Sequence, residues 1–170
     1  MKKILGGELM AVVIRNMKLA DIDAVKEIAI KSWHHTYDGI IPIEVQDKFL
    51  SMAYSRDTLK KRLETSPFYV AEENGQVVGF ANFSNLKDDG EVELAAIYLL
   101  PKSQRRGIGS KLLEQGIKEI SPKKVFVSVD SGNVKGKEFY KAKNFETVDN
   151  IEEYFFGHKL KTTRMVLKIE

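Results

Sequence analysis

Two glycines one residue apart, Gly107 and Gly109, follow the polar run Gln104-Arg105-Arg106, and that run follows an apolar stretch closed by Pro101. A helix that starts at such a Gly-x-Gly leaves its first backbone N–H groups without intrahelical acceptors, at the positive end of the helix dipole. With no Cβ at 107 or 109, an anion can approach that backbone closely. Arg105 and Arg106 place positive charge beside it, so the turn suits a pyrophosphate. The plain alternative is a helix start whose glycines only allow tight packing. Two sharper phosphate schemes do not fit. A P-loop requires Gly-Lys-Ser/Thr after an earlier glycine, whereas the order here is Gly109-Ser110-Lys111 with Gln104 at the earlier position. A dinucleotide fingerprint requires a third glycine at 112, which is Leu112.

The rest of the composition narrows the chemistry. The chain has 170 residues, 43% of them apolar and 30% charged with mixed signs, and a formal net charge of +3. That is the size and balance of one globular domain in the cytoplasm. The cations are spread along the chain, so neither nucleic acid nor a membrane is expected as a partner; a homodimer is left open. There is no cysteine, which excludes disulfides, thiolate metal sites and a cysteine-bound acyl intermediate. His34, His35 and His158 do not make a metal site, because adjacent histidines on a helix point in different directions and no carboxylate pattern completes the set. Residues 1–10 read as an extension too short for a leader or a span, with the domain covering 11–170.

Positioning the turn requires elements on both sides of it. Residues 11–15 form a β-branched strand, and 21–37 carry Ile22, Val25, Ile28, Ala29 and Trp33 at helical spacing. Two more helices are predicted over 43–50 and 55–64. Asn74-Gly75 joins strands 68–72 and 76–83 as a hairpin. Residues 91–100 are nearly all apolar after Glu93, the pattern of a strand buried on both faces. Helix 107–120 and strand 124–129 complete a parallel βαβ unit. A short helix over 134–143 ends at Asn144, which can take the left-handed conformation. Strands 145–156 and 162–169 close an α+β fold on a mixed sheet.

Gln104-Arg-Arg-Gly107-Ile-Gly109 resembles the Gln/Arg-x-x-Gly-x-Gly/Ala motif of the GNAT (GCN5-related N-acetyltransferase) superfamily. Ile97-Tyr-Leu-Leu-Pro101 precedes it, and Asn133, Phe139-Tyr140 and Asn144-Phe145 follow at family positions. The resemblance spans about residues 11–169. The family often has Ala where Gly136 stands and Gly where Asn144 stands. It implies a mostly antiparallel sheet with one splayed parallel strand pair flanked by helices, and direct acetyl transfer from acetyl-CoA to an amine. It further implies pantetheine contacts at Ile97, Tyr98, Leu99 and Asn133, and a pyrophosphate site over Gln104, Arg105, Arg106, Gly107, Ile108, Gly109 and Ser110. Tyr140 matches the family's general acid and also touches the cofactor; packed aromatic burial is its plain alternative. Glu93 is the candidate base, placed by alternation on one face with Ala95, Ile97 and Leu99; a solvated strand end is its plain alternative. Trp33 and Tyr37 are candidates for the acceptor groove, although core packing also explains Trp33. The stretch from Ser32 to Pro42 resembles the bacterial PaiA-like branch, which implies spermidine or spermine as acceptor. A peptide or protein amine is the alternative acceptor, and a non-catalytic acyl-CoA-binding regulatory module is the alternative class.

Overall fold

Period-2 and period-3.6 apolar patterns alternate along the chain, and the elements follow them. The computed structural model describes residues 11–170; the extension over 1–10 lies outside the described residues. The strands are β1 (Val12–Asn16), β2 (Phe68–Glu73), β3 (Gln76–Phe83), β4 (Glu91–Leu99), β5 (Lys124–Asp130), β6 (Glu146–Phe155) and β7 (His158–Lys168). The helices are α1 (Ile22–Tyr37), α2 (Ile43–Ala53), α3 (Arg56–Thr65), α4 (Ile108–Ile120) and α5 (Val134–Ala142). Asn144 stands at φ 73° after α5, the left-handed conformation its small polar side chain tolerates.

One sheet has the order β1-β2-β3-β4-β5-β7-β6. β4 and β5 are parallel, with α4 between them in the chain, and every other neighbouring pair is antiparallel. Apolar cores lie on both faces. Val92, Leu94, Val125, Val127, Leu112 and Leu113 fill one, beneath α4 and α5. Val25, Ile28, Trp33, Leu50, Leu59 and Phe80 fill the other, beneath α1, α2 and α3.

β4 sends side chains into the cores on both faces, but not by simple alternation. Its partners on β3 run Asn82↔Ala96 and then Phe83↔Leu94, so Ala95 is an extra residue without a partner. This is a β-bulge, and it reverses the alternation. Val92 and Leu94 point into the core under α4, and beyond the bulge Ile97 and Leu99 point to that same side. Ala96 and Tyr98 point to the other. Glu93 therefore does not share a face with Ile97 and Leu99, as simple alternation had placed it. Ala95 itself is exposed.

The last hairpin also differs in extent. β7 begins at His158 rather than at residue 162, because Phe156 (φ 50°) and Gly157 (φ 79°) make a tight turn of the same hand as Asn74 (φ 53°) and Gly75 (φ 79°). A phenylalanine at the first position of such a turn gives no turn signal in sequence.

α4 lies close to the sheet at Gly116, where an added Cβ would run into the ring of the buried Phe83. We expect Gly116→Val to cost roughly 1–3 kcal/mol through overpacking, read as a lower denaturant midpoint with an unchanged m-value.

Candidate functional site

Strand pairing between β4 and β5 stops at Glu93↔Phe126, although β4 runs on to Leu99 and β5 to Asp130. The two strands part at the bulge and leave a cleft of about 910 Å³. Its walls come from both sides of the sheet: β4 from Leu94 to Leu99, Val127 to Val129 of β5, the turn before α4, α5, and the C-terminal end of α1.

The turn before α4 is shaped as an anion cradle. Arg105 (φ 64°) and Gly107 (φ 83°) both take left-handed conformations, and Gly107 is the N-cap of α4 with no side-chain cap. Among the described residues, the N–H groups from 105 to 110 donate to no protein acceptor. Successive free N–H groups in such a turn form a concave nest for anions. A Cβ at Gly107 would meet nothing within 4 Å, so this side of the turn opens onto the cleft. Gly109 faces a packed surface, since its Cβ would lie 3.3 Å from the Phe139 ring.

The two arginines part company. Arg105 lines the cleft. Arg106 turns away and clasps Glu73 at the end of β2, with Nη1 donating to Oε1 at 3.1 Å and Nη2 donating to Oε2. Glu73 is buried, so the ion pair ties the turn to β2. Gln104 donates from Nε2 to the Leu99 carbonyl at 3.4 Å, linking the turn to the end of β4. Ser110 lines the cleft, while the Ile108 side chain is buried in the core.

Asn133 caps α5, its Oδ1 accepting from the Gly136 N–H at 2.9 Å. An added Cβ at Gly136 would press on that same side chain, which accounts for glycine here. The Asn133 side chain lies on the cleft wall beside the Tyr37 hydroxyl, whose ionisation it draws down against the larger effect of burial.

Three phenols meet at the centre. Tyr140 of α5 lines the cleft between Phe139 and Phe145, with ring centroids at 5.3 and 5.2 Å. Burial pushes its ionisation upward, and the nearby Tyr37 adds to this. Burial likewise pushes the Tyr37 hydroxyl up to about 12 and holds that of Tyr98 well above the ordinary range. All three stay protonated at neutral pH.

The remaining sequence candidates are not all brought together. Tyr37 lines the cleft, whereas Trp33 lies behind it in the core, stacked on Phe49 at 4.5 Å. Glu93 stands outside the lining, and Arg164 of β7 holds its carboxylate through both terminal nitrogens, with Nη1 donating to Oε2 at 2.9 Å. Arg164 also donates to Ser128 Oγ at 3.1 Å and lies over the Phe126 ring. Ser32, His35, Thr36 and Ser128 line the cleft, a place the sequence reasoning had not given them; it had weighed His35 only as a metal ligand. The first three had a readable signal, since their i, i+3, i+4 spacing puts them on one face of α1.

The comparisons with known proteins agree with this geometry. The profile of the Acetyltransferase (GNAT) family matches residues 22–145. A relative from Bacillus subtilis named as the uncharacterized N-acetyltransferase YuaI is 38% identical over 108 residues, which are 62% of each chain. The chain thus spans less than two thirds of that relative. The spermidine N(1)-acetyltransferase of Thermoplasma acidophilum is 26% identical over 159 residues, 88% of this chain and 98% of the relative. The crystal structure of the PaiA N-acetyltransferase of Thermoplasma acidophilum in complex with coenzyme A superposes with a TM-score of 0.82 at 24% identity, covering 94% of this chain and 100% of that one.

The raised Tyr37 ionisation has a stability consequence. A folded-state pKa of about 12 against an unfolded value of about 10 means that this contribution is whole below about pH 10 and is lost as pH rises to about 12. We expect Tyr37→Phe to flatten the fall in unfolding free energy over that window, measured by denaturant titration at several alkaline pH values.

Proposed function

Because the chain belongs to the acetyltransferase (GNAT) family, we propose that it transfers an acetyl group from acetyl-CoA directly to a primary amine, with a spermidine-type polyamine as the small-molecule acceptor. The observation that carries this reading is the cleft itself: an uncapped helix start with free N–H groups at one end, and Tyr140 on the wall where two parallel strands part.

The residues suit the cofactor. The nest from 105 to 110 can hold a pyrophosphate, with Arg105 adding charge and Arg106 braced on Glu73. Beyond Glu93, β4 has no β5 partner, so the backbone groups of Ile97 and the N–H of Leu99, which point away from β3, are free to pair with the amides of a pantetheine arm that also passes Tyr98. Asn133, on the cleft wall, is a further proposed contact of that arm. When bound, acetyl-CoA supplies the activated acyl group as a thioester.

Tyr140 is the proposed proton donor. Its burial keeps the phenol neutral at physiological pH, so the proton is present when the thiolate departs. A backbone N–H of β4 near Leu99 is the proposed donor to the oxyanion of the tetrahedral intermediate. Tyr37, with its hydroxyl protonated, borders the acceptor side.

Similarity to the Thermoplasma spermidine N(1)-acetyltransferase supports the polyamine. One observation favours the peptide-amine alternative: among the described residues, the α1 side of the cleft is lined by Ser32, His35, Thr36 and Tyr37 and by no carboxylate, the Asp130 group that acts on Tyr37 standing outside the lining. An amine panel with acetyl-CoA, reading released thiol, separates the two. Spermidine turned over faster than a lysine peptide, with KM rising with salt, supports the polyamine; a preference for the peptide overturns it.

Tyr140→Phe removes only a hydroxyl. We expect an unchanged acetyl-CoA affinity by calorimetry and a fall in kcat on the order of 10²–10⁴-fold. Full turnover in this variant would remove Tyr140 from the mechanism.

A further inference from the structure

An acceptor ammonium, with a pKa of about 10, must lose a proton before its nitrogen can attack a thioester. β4 does not deliver a free carboxylate for this. Glu93 lies before the bulge, outside the cleft lining, and its carboxylate is closed by Arg164. Glu138 does line the cleft, but it stands on α5 between Lys135 and Lys143, on the side of the sheet that carries α4.

The opposite wall is α1, which turns Ser32, His35 and Thr36 toward the cleft. Of these, only His35 carries a ring nitrogen that can accept a proton. The two adjacent histidines are used differently. His34 Nε2 lies 3.0 Å from Asp47 Oδ1 of α2. His35 is exposed, and among the described residues it makes no hydrogen bond and no ion pair. Its ring is free to accept a proton. The other titratable groups sharing the cleft are Tyr37 on the same helix, Tyr98 on β4, Arg105 in the turn, Lys135, Glu138 and Tyr140 on α5, and Lys143 just after it. The phenols are neutral at neutral pH; the Asp130 carboxylate acts on Tyr37 but stands outside the cleft lining and accepts from the Gly132 N–H at 2.8 Å, so among the described residues of the α1 wall His35 is the group that can take up a proton.

We propose that His35 is the catalytic base that takes the proton from the incoming ammonium. This rests on the acetyl-transfer reading above. The imidazole removes one proton from R–NH3⁺, and the freed lone pair forms the C–N bond to the thioester carbonyl carbon. As the C–S bond breaks, the sulfur leaves with its electron pair and takes a proton from Tyr140. The second proton lost from the nitrogen restores the phenol, and the imidazolium releases its proton to solvent. The sum is one ammonium and acetyl-CoA giving one amide, one free thiol and one proton.

The test measures kcat/KM against pH for the wild type, His35→Gln and His34→Gln, on spermidine, a simple alkylamine and a lysine peptide. We expect His35→Gln to lose on the order of 10²-fold near pH 7. The deficit should shrink toward alkaline pH, since the neutral fraction of the amine rises about tenfold per pH unit below its pKa. KM for acetyl-CoA should stay unchanged, and His34→Gln should follow the wild type. Partial recovery of His35→Ala by added imidazole would support the assignment further. An active wild type alongside a His35→Gln profile that is unchanged, or reduced equally at every pH, overturns the role of His35 alone. A wild type that acetylates none of the amines overturns the transfer reading itself, and this role with it.

Discussion

The parting of β4 from β5 is the constraint on which the site depends. A parallel pair held along its whole length would satisfy every backbone group between the strands and leave no opening. Here the pairing ends at Glu93↔Phe126, and the unpaired Ala95 supplies the cause. A bulge bends its strand and increases the local twist, so β4 follows β3 while β5 follows β7. The backbone of β4 beyond that point faces an opening instead of a neighbour. The bulge also decides which residues look into each core. It returns Ile97 and Leu99 to the side of α4 and sends Tyr98 toward α1.

The helices that flank this opening have divided tasks. α4 and α5 lie on one face; the first presents free N–H groups and the second presents Asn133, Glu138 and Tyr140. α1 lies on the other face and presents hydroxyls and an imidazole. A cleft walled from both faces of a sheet in this way is open to ligands from opposite sides, and the phenols of Tyr37, Tyr98 and Tyr140 line it. Burial holds those phenols neutral, which favours proton donation over charge.

Charge around the cleft is managed by pairing. Arg106 and Glu73 close on each other, as do Glu93 and Arg164. Each pair joins strands or turns that are distant in sequence, and each withdraws a charged group from the lining. Arg105 is left as the turn's cation facing the cleft. The pairs are partly exposed, so their worth is chiefly geometric: removing one partner would leave a charge beside an apolar surface and loosen the turn or the end of β7.

How much was legible depended on whether a signal was local. Gly107, Gly109 and the basic residues before them could be read as an anion cradle, because free N–H groups and a missing Cβ are properties of a few consecutive residues. The order of elements, the parallel pair across α4 and the left-handed Asn144 were legible for the same reason, through apolar period and turn chemistry. The bulge at Ala95 was not, since nothing in Leu94-Ala95-Ala96 marks an extra residue. One unmarked residue reversed the alternation that had put Glu93 on the face of Ile97 and Leu99. Nor could sequence say that Arg106 would clasp Glu73 while Arg105 turned to the cleft, or that Trp33 would lie in the core and Tyr37 on the wall. Residue type and local spacing determined the family, the fold class and the cradle. Only the tertiary structure decided which charged side chains are spent on each other and which remain for a ligand, because that choice depends on partners from strands far apart in the chain.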